Sequence, residues 1–320
     1  MKVRGIFSSS WSFVLQTTVS KPILFEGIGL HTGKKSKLIL HPADADFGIC
    51  FKRTDILSGD NTVEASWLNV ADSELCTRLT NSQGVSILTV EHLMAGLTGC
   101  GINNALIEIS GPEVPILDGS AVTFVKEILK TGIKLQNRPL KAVRILKTVS
   151  HKKDIAWARF EPSDCPRMSF SIQFSEEVIG AQSKTLDMSN GSFIRELCDS
   201  RTFCRYSEVE AMRAKGLALG GSFDNAVVVD GKDVLSPGGL RYSDEPVRHK
   251  MLDALGDIAL AGYPILGHYI GYRAGHGTTH GLLKSLFSDP RNFEIISCDQ
   301  ETINSLPGSG VQLSEVCKVA

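Results

Sequence analysis

His249 and Asp253 stand four residues apart in the run Val247-Arg248-His249-Lys250-Met251-Leu252-Asp253-Ala254-Leu255-Gly256-Asp257, so a helix would set an imidazole and a carboxylate on one face. Neutral imidazole nitrogen and carboxylate oxygen are ligands that Zn²⁺ takes, and a catalytic zinc site needs a third protein ligand and one open position. The same spacing also describes a solvated ion pair on an amphipathic helix, so the pair alone decides nothing. His92 is a candidate third ligand, and Glu91 precedes it. Near a helix start, adjacent side chains diverge by about 100°. Glu91 could therefore stand beside the ion without ligating it, as a base that takes a proton from the attacking water must. His276, flanked by Gly275 and Gly277, follows a strand-like run and precedes a helical one, which places it on a loop where reacting groups are often held. Asp257, two turns beyond His249, could accept a hydrogen bond from such a histidine and favour its protonated form, as an acid catalyst needs.

These residues need elements to hold them. Alternating runs over 36–41 and 48–53 flank a Pro-Ala-Asp-Ala-Asp loop and predict a hairpin, and 76–79 with 85–88 predict another. A helix over 90–97, a strand over 104–110 and an amphipathic helix over 121–131 follow. The second half repeats the order, with strands over 143–148, 155–162 and 168–174, a long helix over 244–261, a strand over 265–273 and a helix over 278–287. His92 and His249 each fall near the start of the first long helix of a half, about one domain length apart, which reads as a structural duplication. The expected fold is α+β rather than a doubly wound parallel sheet. A short polar segment with Pro139, at 136–140, marks the join. The expected organisation is a leader over 1–17, domain I over 18–138, domain II over 139–305 and a tail over 306–320, with the site in the cleft between domains.

Composition narrows the classes. A chain of 320 residues with 42% hydrophobic content can bury a large core, and a net charge of −1 gives no global attraction to nucleic acid or anionic lipid. The eight cysteines are scattered without a C-x-x-C pair, which fits reduced thiols. No apolar run is long enough to span a bilayer, so no stable membrane insertion is expected. Residues 1–25 contain no acidic residue but carry Lys2, Arg4, Lys21 and five serines, a bias that reads as an organellar, most simply mitochondrial, transit segment. The glycines at 27, 29 and 33 match neither nucleotide-loop spacing and read as a β-turn cluster. The sequon at 190–192 matters only in a secreted chain.

Six blocks taken together carry a resemblance: Glu26-Gly27-Ile28-Gly29-Leu30-His31-Thr32-Gly33-Lys34, Thr89-Val90-Glu91-His92-Leu93-Met94-Ala95, Pro115-Ile116-Leu117-Asp118-Gly119-Ser120-Ala121, Ser200-Arg201-Thr202-Phe203, Gly220-Gly221-Ser222-Phe223-Asp224-Asn225 and the run from Val247 to Asp257. In matching order over most of the chain, they resemble the UDP-3-O-acyl-N-acetylglucosamine deacetylases, zinc amidases of lipid A biosynthesis. The resemblance implies two related β-α-α-β layered domains. It implies that His92, His249 and Asp253 bind Zn²⁺, that Glu91 is the general base, and that His276 is the general acid oriented by Asp257. It further implies a hydroxyl at Thr202 that assists the oxyanion, a ring at Phe203 against the sugar, a cationic contact from Lys250, and substrate-side positions at His31 and Asp118.

Such a substrate carries a diphosphate and an acyl chain. Lys250, Arg201 and Lys34 are candidate cations, and Val209, Met212 and Leu217, on or just after a helix expected over 208–215 behind a Ser207/Glu210 capping box, are candidates for an apolar channel. A monomer acting on an acylated UDP-glucosamine is expected. Two alternatives stand beside it: a zinc-stabilised binding protein on the same scaffold, and a zinc deacetylase of another N-acetyl sugar.

Overall fold

Alternate burial along five short strands builds one layer of a computed structural model that describes residues 14–189 and 191–316. Strands β1 (Ile23–Ile28), β2 (Lys35–Pro42), β3 (Ile49–Arg53), β4 (Thr62–Glu64) and β5 (Ala105–Ile109) turn Phe25, Leu38, Leu40, Phe51, Val63 and Ile107 inward. A period of two puts such residues on one face. The strand order is β1-β2-β5-β3-β4, antiparallel except for the parallel pair β5/β3. Strands β6 (Val149–Lys153), β7 (Ala156–Glu161), β8 (Arg167–Gln173), β9 (Ala181–Asp187) and β10 (His268–Tyr272) form a second sheet in the order β6-β7-β10-β8-β9, again with one parallel pair, β10/β8. Position by position, the two sheets have the same connectivity. The expected duplication and the α+β class are both present.

The hairpin expected from 36–41 and 48–53 does not form. β5 lies between β2 and β3, pairing antiparallel with the first and parallel with the second. Alternation reports which face of a strand is buried, not which strand lies beside it, and β5, with Ala105, Ile107 and Ile109 at 0% exposure, takes the central position. The second expected hairpin does form, with Arg78 opposite Leu88.

Each sheet's central strand lies in sequence between two helices: α1 (Glu91–Gly99) and α2 (Val122–Thr131) around β5, α3 (Glu245–Ala259) and α4 (His276–Phe287) around β10. α1 buries all its residues but Thr98, as befits a helix enclosed on every side, and it packs along α3. The approach is close enough that a Cβ at Gly256 would lie 2.0 Å from the Glu91 carbonyl oxygen.

Each unit also carries an insertion at the same place, between its fourth sheet strand and its first helix. The first is the three-stranded sheet of Val70–Ala71, Arg78–Thr80 and Ser86–Leu88. The second combines Phe203–Arg205, Val227–Asp230 and Asp233–Val234 with the helix Tyr206–Ala214. That helix starts at Tyr206, so Ser207 falls inside its first turn and the expected capping box is not used.

The first strand, Leu15–Val19, pairs with Ile133–Pro139, so regular structure begins inside the segment expected to be a leader. The remainder of that leader, residues 1–13, and Asn190 of the sequon lie outside the described residues, as do 317–320 of the expected tail. Among the described residues, no helix is long and apolar enough to cross a membrane.

Candidate active site

The α1–α3 crossing brings His92, near the start of α1, to His249 and Asp253 on α3. One ligand atom from each lies within 4.8 Å of the others, and among the described residues this is the group of three that converges so. Asp253 Oδ1 stands 3.2 Å from His249 Nε2 and 3.4 Å from His92 Nε2, and the imidazole rings meet edge to face with centroids 5.0 Å apart. The backbone carbonyl of Ser200 accepts the Nδ1–H of His249 at 3.0 Å, which leaves Nε2 with its lone pair toward the cluster. Asp253 Oδ1 is buried without a hydrogen-bond donor, while Oδ2 accepts from Lys250 Nζ at 2.7 Å. Two imidazole nitrogens and an otherwise orphaned carboxylate oxygen form a donor set that fits a divalent ion. Burial pushes the Asp253 carboxyl up, but the imidazole of His249 and the ammonium of Lys250 beside it outweigh burial and hold it well below the usual carboxylate range.

Glu91 occupies the first position of α1, beside this cluster. Its Oε2 accepts the backbone N–H of Thr77 at 3.1 Å, and Oε1 lies 3.7 Å from His276 Nε2. Burial raises its pKa, and the nearby imidazoles of His276 and His92 pull it only part of the way back. His276 is the first residue of α4 rather than a loop residue; the extended Gly275 before it is the helix cap. Its Nδ1–H donates to Asp257 Oδ2 at 2.8 Å. Burial alone would favour the neutral ring, but Asp257 and Glu91 overcome it and raise the pKa to about 9. Asp257 is buried against His276, His280 and Thr77, and stays ionised because the two imidazoles outweigh its desolvation. The structure therefore gathers all three expected ligands, the expected base and the expected acid with its carboxylate partner. These six residues come from three helices that the two units share out.

The remaining expected residues are distributed around this centre. Phe203 sets its ring edge to face with His249, centroids 6.3 Å apart. Thr202 precedes it, with its backbone N–H bonded to the Gly119 carbonyl. His31 is buried; its Nδ1 accepts the Ala218 N–H at 3.4 Å, and burial lowers its pKa, helped by the positive fields of His276 and His92. Asp118 is paired with Arg241 at 3.1 Å and caps Ser120. Lys250 is engaged with Asp253. Arg201 is no free cation: it is buried against Glu245, with Nε to Oε1 at 2.9 Å. Lys34 stays exposed just after Gly29–Gly33, where the chain does turn, but through a five-residue turn closed by the Gly33 N–H on the Gly29 carbonyl rather than the expected β-turn.

Three contributors had no role assigned to them from the sequence. Thr77 touches both Glu91 and Asp257. Ser200 acts through its carbonyl. Glu113, 1% exposed, accepts from the N–H groups of His31 and Thr32 and from the hydroxyls of Thr32 and Thr89, fastening the turn to the residue that leads into α1. Thr89 itself holds a left-handed φ of 56°, a strained state for a β-branched residue, at the entry to the site. A separate cavity of about 550 Å³, lined by Met94, Leu97, Leu255 and Ile258 farther along α1 and α3, is bordered by none of the six residues gathered above.

A buried two-histidine, one-carboxylate cluster that could hold a metal ion, beside a further carboxylate and an imidazole backed by its own carboxylate, is an arrangement suited to a hydrolase. The family model for UDP-3-O-acyl N-acetylglycosamine deacetylase (LpxC) matches residues 16–288, and the chain belongs to that family. It is similar to proteins named UDP-3-O-acyl-N-acetylglucosamine deacetylase from Phenylobacterium zucineum, 43% identical over 87% of this chain and 94% of the relative. The relatives from Pasteurella multocida, 41% identical over 90% and 95%, and Acidithiobacillus ferrooxidans, 44% identical over 85% and 90%, bear the same name.

Proposed function

We infer that this chain is a zinc-dependent amide hydrolase that removes the N-acetyl group of a UDP-3-O-acyl-N-acetylglucosamine, yielding acetate and the free amine, a step of lipid A biosynthesis. The observation that carries this reading is the convergence of His92, His249 and Asp253 within reach of Glu91 and His276, in a chain so similar to deacetylases. His92, His249 and Asp253 would hold Zn²⁺, which when bound supplies Lewis-acid chemistry, polarising the amide carbonyl and acidifying water.

Glu91 accepts the proton of the attacking water on Oε1, since Oε2 is occupied by the Thr77 N–H. Its raised pKa makes it a stronger base than an exposed glutamate. His276, protonated at working pH, gives its Nε2 proton to the departing nitrogen, without which an amide anion would have to leave. Asp257 keeps the other ring nitrogen occupied, so the proton that moves is the one facing the substrate. Thr202 places a hydroxyl beside the developing oxyanion and Phe203 a ring beside the sugar. His31 and Asp118 stand on the substrate side, and Lys250 adds positive charge near the reacting amide. Val209, Met212 and Leu217 are half-buried, and the helix Tyr206–Ala214 buries no residue fully, which suits the wall of an acyl channel better than a core.

The test is acetate release from acylated and non-acylated UDP-N-acetylglucosamine. Turnover of the acylated sugar with little of the other is expected. Equal turnover would indicate another N-acetyl sugar as substrate, and binding without turnover would indicate a binding protein. We also propose, on composition alone, that residues 1–17 form a mitochondrial leader; cytosolic retention of the tagged full-length chain after cell fractionation would contradict it.

A further inference from the structure

We propose that Thr77 is a positioning residue that ties the general base to the carboxylate partner of the general acid; this rests on the roles given above to Glu91 and His276. Thr77 is 0% exposed and immediately precedes the first insertion's central strand, Arg78–Thr80, far in sequence from Asp257, His276 and His280. Its N–H donates to Glu91 Oε2 at 3.1 Å, and its carbonyl receives the Val90 N–H, so its backbone grips the start of α1. Its hydroxyl lies 2.5 Å from Asp257 Oδ1, 3.2 Å from His276 Nδ1 and 3.3 Å from His280 Nε2.

The hydroxyl has one hydrogen, and an ionised carboxylate can only accept. The shortest contact therefore fixes the direction: Thr77 donates to Asp257, and its lone pairs face the N–H of His280. Asp257 then has Oδ1 held most closely by Thr77, with His280 Nε2 at 3.2 Å from the same oxygen, and Oδ2 held by His276, which sets the plane of the carboxylate and, through Nδ1, the ring of His276. Nε2 of that ring is left facing Glu91 Oε1. One residue thus sets the separation of the two proton-transfer groups from both sides, without meeting substrate.

The test uses the zinc-loaded full chain. Thr77→Val keeps the shape and the backbone N–H but removes the hydroxyl, and is expected to lower kcat on the order of 10-fold to 100-fold while KM and zinc content stay at native values. Thr77→Ser restores kcat, and Thr77→Ala serves as a second variant should valine fail to fold. In an Asp257→Ala background, Thr77→Val is expected to cost less than about 3-fold, because the partner through which it acts is gone. Native kcat in Thr77→Val, or the same loss with and without Asp257, would overturn the assignment. Near-native turnover in Glu91→Ala or His276→Ala would instead overturn the base and acid roles beneath it, so the two failures are distinguishable.

Discussion

Glu91, His92, His249, Asp253 and Asp257 are each at most 5% exposed, and burial of that degree is tolerated only because every charge has an opposite neighbour. Desolvation and pairing push the two groups proposed for proton transfer in useful directions: Glu91 toward a stronger base, His276 toward a retained proton. Glu91→Ala is expected to lose on the order of 10² or more in kcat while zinc, measured in the same preparation, remains; near-native turnover would remove Glu91 from the base role. The pH dependence follows with a definite sign. Burial lowers the pKa of His276 and Asp257 raises it, to about 9, so an activity that needs the protonated ring falls as pH rises through that value. Asp257→Asn removes the largest of the charges that oppose burial, leaving Glu91 and Asp253, and should move the alkaline limb of kcat/KM to lower pH; an unmoved limb would contradict the pairing. At this scale the sequence was legible wherever side chains converge at fixed spacing, as His249 and Asp253 do. It was silent on the parts played by Thr77, Ser200 and Glu113, because the place of a hydroxyl, a carbonyl or a buried carboxylate in a site is set only by what the fold brings against it.

The element on which the site depends is the α1–α3 crossing, and its contact at Gly256 leaves no room for a side chain. Gly256→Ala should push α1 away from α3, costing about 1–3 kcal/mol or more as an overpacked contact, and should lower zinc content together with the melting temperature. A variant that melts and binds metal like the native chain would show that the crossing has slack. The helices themselves were readable from their apolar periodicity: α1, α2 and α3 fall close to their expected spans. Strand neighbours were not. The central place of β5 between β2 and β3 depends on a long-range pairing that alternation does not encode, and the start of Tyr206–Ala214 ahead of its expected cap shows a local motif yielding to the strand before it.

The whole molecule is one supersecondary plan used twice, with equivalent insertions in each copy and the site where the first helices of the copies cross. The duplication supplies His92 from one unit and His249 and Asp253 from the other, so neither unit holds the cluster alone. The insertions divide the surroundings: the first brings Thr77, the second brings Phe203 and the half-buried apolar strip. If that strip lines an acyl channel, Leu217→Trp should shift the preference toward shorter acyl chains by about 10-fold or more in kcat/KM without a matching fall in melting temperature; a change in stability alone would return Leu217 to the core. The duplicated plan was visible in the order of predicted elements, whereas the substrate rested on resemblance, because no spacing encodes a UDP-sugar. The most direct test of the account is metal removal and return, with acetate release and zinc measured on the same sample. Stripping zinc is expected to abolish release from the acylated UDP-sugar, one equivalent to restore it, and His92→Ala neither to hold the ion nor to recover; full activity in the metal-free protein, or in His92→Ala, would contradict a metal-dependent site at this crossing.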